Sequence, residues 1–347
     1  MAIAQRRGFT LTELAVLMAV LALLLAMLIP MLAAGKGNNE EKVSANNLRQ
    51  IGQMHVMYAK DWDGRQWTVT PDDLSVRLNF GAYPTNYPPD IAPPVPLGHD
   101  CSGQFWQTGR GWAIQPMWWP ANCSIGNFRA WNTQRFNSYA NNKVYDPLFW
   151  APRDRSIENV QEYFDLPCEW PGAGTQFFFP TYCMSVAAQV DPEVYRGPSD
   201  GGSQQALDLP LGHQTPALAS ATYPDLKTHM LEHYWLNPLH RNYFIPGTGG
   251  VPWFYNMSTR SEPMTLFFDG SVRKLPVLEV LVSNHFVVTG GEDPLWADDP
   301  ACFGTGGYFE SFRADELRYH RPLVDETTSY HVFTRDGIQG RDTIFNK

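Results

Sequence analysis

Charge is scarce in this sequence, and it never gathers. Asp, Glu, Lys and Arg make up 18% of the chain, the net charge is −9, and no run of like charge is long enough to act as a binding tail. Phosphate contacts need a basic face, so this balance argues against a nucleic-acid partner. Cysteine is sparse as well. The five cysteines (Cys101, Cys123, Cys168, Cys183 and Cys302) contain no C-x-x-C pair, which argues against a zinc ribbon or a thioredoxin-type site. There is no G-x-S-x-G, no P-loop and no dinucleotide fingerprint. Beyond Trp67 the sequence shows no long helical periodicity. What it does hold is apolar and angular: 44% hydrophobic residues in 347, with 28 Pro, 28 Gly and 12 Trp. That composition builds a packed core and favours loop-rich β structure with aromatic clusters.

The N-terminus carries the most information. Arg6-Arg7-Gly8 precedes Phe9-Thr10-Leu11-Thr12-Glu13, and the 22 residues from Leu14 to Gly35 contain no charge. A helix of that length reaches roughly 33 Å, enough for a bilayer core. The arginines lie on one side of it, so the positive-inside rule keeps the N-terminus cytoplasmic. An ordinary signal peptide shares the basic start and apolar stretch, and Arg6-Arg7 followed by an aromatic residue also fits a twin-arginine signal. Neither reading explains Glu13. A carboxylate just inside the membrane edge is costly unless it is neutralised, and is therefore read as functional.

These residues closely resemble the cleavage and methylation motif of type IV prepilins and type II secretion pseudopilins. The resemblance implies cleavage after Gly8, methylation of the new N-terminus at Phe9, and an assembly role for Glu13, the fifth residue from Phe9. It also implies a family proline, which Pro30 matches. Glu13 would be neutralised by the N-terminal ammonium of a neighbouring subunit, and Pro30 should kink or locally melt the helix. The implied partners are the prepilin peptidase/methyltransferase, other pilin or pseudopilin subunits, and the inner membrane. No cofactor is implied.

Gly35-Lys36-Gly37-Asn38-Asn39 is rich in breakers and is expected to loosen the helix. A second, amphipathic helical segment follows, with Leu48, Ile51, His55, Tyr58 and Trp62 at steps of three and four. This stripe should face the head, with His55 as a packed histidine. Asn46-Asn47-Leu48-Arg49-Gln50-Ile51-Gly52 and Tyr58-Ala59-Lys60-Asp61-Trp62-Asp63-Gly64 resemble the stem and helix exit of a large prepilin-like subfamily. Many of its members carry a cysteine near the position of Ser44. Asp61-Trp62-Asp63-Gly64 has the opening spacing of a calcium loop, but Arg65 and Gln66 break it, so a helix-ending turn is expected.

In the head, a short helix is expected over Ser156–Phe164 with Ser156 as its cap. Strands are expected at Thr175–Phe179, Cys183–Val190, Lys227–Trp235, Met264–Phe268 and Ser271–Val277. Asp269-Gly270 marks a hairpin that resembles the subfamily's terminal one, although Thr259 stands where the family commonly has histidine. The tail from Glu279 to Lys347 lies outside that pattern, with loops at Asp298–Pro300 and Gly304–Gly307. Residues 98–131 and 196–213 read as surface insertions, with Trp118-Trp119 as packing or an exposed contact. Disulfide pairing is not legible in the sequence. The shortest loops would join Cys101 to Cys123 and Cys168 to Cys183.

His229-Met230-Leu231-Glu232-His233 fits H-x-x-E-H. On a helix the two histidines would share a face for zinc and Glu232 would activate water. On a strand, alternation sets Glu232 on the face opposite His229 and His233. Pro224 and Pro238 bracket the segment, which favours the strand.

The combined expectation is an α+β, pilin-like fold. It has a leader at 1–8, a transmembrane helix at 9–35, an amphipathic stem helix at 36–66 and a head at 67–347. The long N-terminal helix packs on a mainly antiparallel β-sheet head with long loop insertions. The expected protein is a non-enzymatic pilus or pseudopilus subunit in the inner membrane, with its head on the periplasmic or cell-surface side. A surface-displayed binding protein and an anchored zinc hydrolase are the alternatives.

Overall fold

The computed structural model describes residues 11–67, 96–107, 131–175, 177–178, 180–185, 187–196, 214–232, 262–296, 331 and 334–346, and most side chains of 12–38 lie outside that set. The chain divides into two compact units, Met1–Val43 and Ser44–Lys347.

Helix α1 spans Leu11–Asp61. Its helical backbone passes through Pro30 and through Gly35–Asn39, where a kink and a loosening were expected. Among the described residues no helix is long and apolar enough to cross a membrane. The expected transmembrane-plus-amphipathic helix on a mainly β head is therefore corrected. Among the described residues the strands are also shorter than expected, because the Pro- and Gly-rich chain between them folds into short 3₁₀ turns instead of longer ladders.

Within the second unit, one face of α1 is buried. Leu48, Ile51 and His55 have no exposed surface, and Met54 and Ala59 are nearly as buried. Tyr58 is half-buried, while Trp62, just past the helix, is 55% exposed. Gly52 lets this face come close: a Cβ there would meet the Leu266 methyl groups at 3.2 Å. The helix ends as expected, with the Gly64 N–H donating to the Ala59 carbonyl at 2.7 Å and Gly64 at φ +81°.

The main sheet holds four antiparallel strands in the order β3-β4-β5-β6: Tyr182–Met184, Thr228–Glu232, Met264–Phe267 and Val272–Lys274. Tyr182 faces Glu232, Met184 faces Met230 and Leu231 faces Thr265, with a register slip between Thr228 and Met230. The β5–β6 turn falls at Asp269-Gly270, where the Asp269 carboxylate accepts from the Ser271 N–H at 2.8 Å. Residues 175, 177 and 178 are not in a strand, and Cys183–Val190 yields only the end of β3 before a 3₁₀ turn at Ala187–Gln189.

A separate hairpin pairs β1 (Pro96–His99) with β2 (Phe105–Gln107). The Asp100 carboxylate closes its turn by accepting from the Ser102 and Gln104 N–H groups and the Trp106 indole. Cys101 is bonded to Cys168, and Cys183 is a buried thiol outside that bond. The pairing that minimised loop length is therefore wrong on both bonds: packing of the hairpin against the 166–172 segment decides it. Cys123 and Cys302 lie outside the described residues.

The core between α1, the sheet and the loops is aromatic: Trp67, Trp131, Phe136, Tyr145, Phe149, Trp150, Trp170 and Tyr182 belong to one buried cluster. Two of its indoles are satisfied by backbone carbonyls distant in sequence. The Trp131 indole donates to the Tyr182 carbonyl at 2.7 Å and the Trp67 indole to the Trp131 carbonyl at 2.9 Å. A one-turn helix α2 at Gln134–Asn137 carries Phe136 into this cluster. The helix expected over Ser156–Phe164 is two 3₁₀ turns, Arg155–Asn159 and Gln161–Tyr163, with Asp154 as the cap in place of Ser156.

The sequence reading missed α3, Val277–Thr289. Its buried face includes Glu279 and Ser283, which interrupt the apolar period. Glu279 pairs with Arg273 at 3.3 Å, and Ser283 donates to the Glu279 carbonyl at 2.8 Å. Trp118, Trp119, Thr259 and the expected loops Asp298–Pro300 and Gly304–Gly307 lie outside the described residues.

Candidate functional site

Of the N-terminal processing residues, Gly8 and Phe9 lie outside the described residues. Glu13 and Pro30 are in the helical backbone of α1, but their side chains are outside the described set.

Two of the three H-x-x-E-H residues are placed on a strand. His229 and Glu232 belong to β4, and His233 lies outside the described residues. The slip after Thr228 changes the simple alternation, so His229 and Glu232 both meet α1. They do so well apart. The His229 ring stacks on Phe268 at 4.4 Å and edges onto His55 at 4.5 Å. The Glu232 carboxylate accepts from Ser44, eleven positions earlier on the same helix. The two residues therefore do not converge on one point. Among the described residues no group of three or more His, Cys, Asp or Glu side chains is placed to hold a metal. Burial pushes the His229 ring down to about 3, with Lys227 adding to the effect. His55 moves the same way through burial and the neighbouring His229. Both rings are neutral packing groups, as was expected of His55.

Two buried polar clusters stand out instead. In the first, Ser44 of α1, Tyr182 of β3 and Glu232 of β4 meet under the sheet. Ser44 Oγ lies 3.0 Å from the Tyr182 hydroxyl and against Glu232 Oε1, while Glu232 Oε2 accepts from the Met264 N–H at 2.9 Å. Burial raises the Glu232 carboxyl to about 7, against the pull of its two hydrogen bonds. Burial and the facing Glu232 push the Tyr182 phenol far up.

In the second cluster the C-terminal segment is fastened to β4. Lys227 Nζ and Asp342 Oδ2 are 2.8 Å apart, and neither side chain has exposed surface. Lys227 also donates to Ser185 at 3.0 Å and to Thr334 at 2.8 Å. Asp342 accepts from the Thr228 N–H at 3.0 Å, the Thr228 hydroxyl at 2.5 Å, the Thr334 hydroxyl at 2.5 Å and the His331 N–H at 2.9 Å. His331 sits at φ +68°, a conformation held in place because its N–H is bound to Asp342 and its carbonyl accepts from Ser185 at 2.6 Å. Burial works against the Asp342 charge, but Lys227 and the hydroxyl donors hold its carboxyl down at about 2. Burial lowers Lys227 in turn, against the attraction of Asp342.

Chemically, both clusters join elements distant in sequence, and their groups are enclosed. They are suited to holding α1 and the C-terminal segment on the sheet. The sequence reading did not find the second cluster. Lys227 was legible only as the first residue of a strand candidate, and Asp342 lies in a polar stretch with no periodic signal. No family model, no curated protein and no solved structure matches this chain.

Proposed function

We propose that this chain is a structural prepilin-like subunit, cleaved after Gly8, methylated at Phe9, held in the inner membrane by its apolar N-terminal segment, and assembled into a type IV pilus or a type II secretion pseudopilus. The observation that carries the reading is the register of Gly8, Phe9, Glu13 and Pro30 ahead of and within one uncharged run. One feature of the head agrees with it. The Cys101–Cys168 bond suits a domain exported to an oxidising compartment.

On this reading the N-terminus faces the cytoplasm and the head the periplasm or cell surface. Glu13 meets the N-terminal ammonium of a neighbour, and the processing enzyme is the peptidase/methyltransferase. Immuno-gold labelling against the head tests assembly. Gold along surface or sheared filaments, lost on Gly8→Arg substitution, supports a filament subunit. Gold on the cell envelope alone, with filaments unlabelled, supports the alternative of a binding protein that keeps this anchor.

A further inference from the structure

We propose that Glu232, Ser44 and Tyr182 form a proton-operated clasp on α1, closed when Glu232 carries its proton and loosened when it does not.

The geometry defines both states. Glu232 Oε2 is committed to the Met264 N–H, so only Oε1 is available to change partners. Oε1 touches Ser44 Oγ, which in turn lies 3.0 Å from the Tyr182 hydroxyl. Three oxygens in a row can order their protons in either direction. With Glu232 protonated, Oε1–H donates to Ser44, Ser44 donates to Tyr182, and no charge is buried. With the proton gone the chain reverses, Tyr182 donating to Ser44 and Ser44 to the carboxylate. A full negative charge then sits in a site that is 5% exposed. An ionised carboxylate without close pairing is costly there.

Among the described residues, the surrounding groups do not remove that cost. From α1 come Ser44 and, beside Tyr182, the amide of Asn47, both uncharged, and from β5 the Met264 N–H. From β3 comes the Tyr182 phenol, which remains neutral. From the loop before the 3₁₀ turn at Arg155–Asn159, Arg153 favours the charged form and Asp154 opposes it. The balance leaves the carboxyl raised to about 7.

The sign follows from linkage. The folded value lies above the ordinary 4.5, so the clasp contributes its full stabilisation below 4.5 and loses it as pH rises through about 7. Between pH 5.5 and 8.5 this corresponds to about a thirtyfold change in the local opening equilibrium. The buried rings of His55, His229 and His331, all lowered by burial, act with the opposite sign, costing stability as pH falls below 6.5. A variant at Glu232 separates the two effects. The clasp is independent of the reading of the N-terminus.

The test is amide hydrogen exchange of the full chain in detergent, corrected for intrinsic rates and followed over Asn47–Ile51 at pH 5.5, 7.0 and 8.5. The expected result is that protection in the native chain, divided by that in Glu232→Gln, falls by roughly an order of magnitude or more from pH 5.5 to 8.5. The histidine contribution is common to both proteins and cancels in the ratio, while the variant's amide oxygen can accept from Met264 and its NH₂ can donate to Ser44 without charge. A ratio that does not fall with pH overturns the proposal. Should that variant not fold, carbon-13 titration of the native Glu232 carboxyl decides it. A midpoint near 7 supports the clasp, and one near 4.5 overturns it.

Discussion

Replacing Asp342 with alanine is expected to lower the stability of the head by about 3–5 kcal/mol, as removing one partner of a buried ion pair does. The reason is in what remains. Lys227 would lose its counter-charge in a site with no exposed surface, and would have either to hold an unpaired charge or to give up its proton, with the Ser185 and Thr334 hydroxyls as its remaining described partners. The Thr228 and His331 N–H groups would lose their acceptor as well. Urea unfolding of the full chain measures the loss. Lys227→Met combined with Asp342→Asn removes both charges and keeps a carbonyl oxygen for those donors. Its cost should be smaller than the sum of the single substitutions by about 1–3 kcal/mol. Strict additivity would show that the pair does not act as a unit. The carboxyl is held below its ordinary 3.8, at about 2. Its contribution is therefore complete above 3.8 and is lost only as pH falls through about 2.

Loss of the Cys101–Cys168 bond is expected to be the second large effect. The bonded residues are 67 apart in sequence, and closing a loop of that length stabilises by about 4 kcal/mol on the chain-entropy estimate. Cys101→Ser with Cys168→Ser, or reduction of the native protein, should lower the urea midpoint accordingly. The Asp100 turn should keep the β1–β2 hairpin locally formed, because its bonds to Ser102, Gln104 and Trp106 do not involve sulfur. A midpoint unchanged by reduction would show that the hairpin is held by packing alone.

What the sequence made legible follows from which interactions are local. The α1 face at Leu48, Ile51 and His55, the exit at Gly64 and the Asp269-Gly270 hairpin all depend on neighbours a few residues away, so periodicity and turn chemistry found them. Register is not local. One slip after Thr228 turned His229 toward α1 and defeated the alternation argument for the side of the sheet on which Glu232 lies. The disulfide also failed the local test, because the shortest loops are not the ones that packing brings together. Helix α3 was hidden by Glu279 and Ser283, polar residues buried on its inner face through specific partners. The Lys227–Asp342 cluster joins positions 115 apart, and no spacing rule reaches that far. Ser44 stood out only as the residue near the subfamily's cysteine position, and its contact with Glu232 exists only once helix and sheet are docked.

The assembly reading rests on processing at the N-terminus, and mass spectrometry of the protein isolated from its native membrane tests that most directly. The account predicts a mature chain that begins with methyl-phenylalanine at residue 9 and reverts to an unprocessed start when Gly8 is replaced. A chain that retains Met1, or one cut after Ala34, would contradict it.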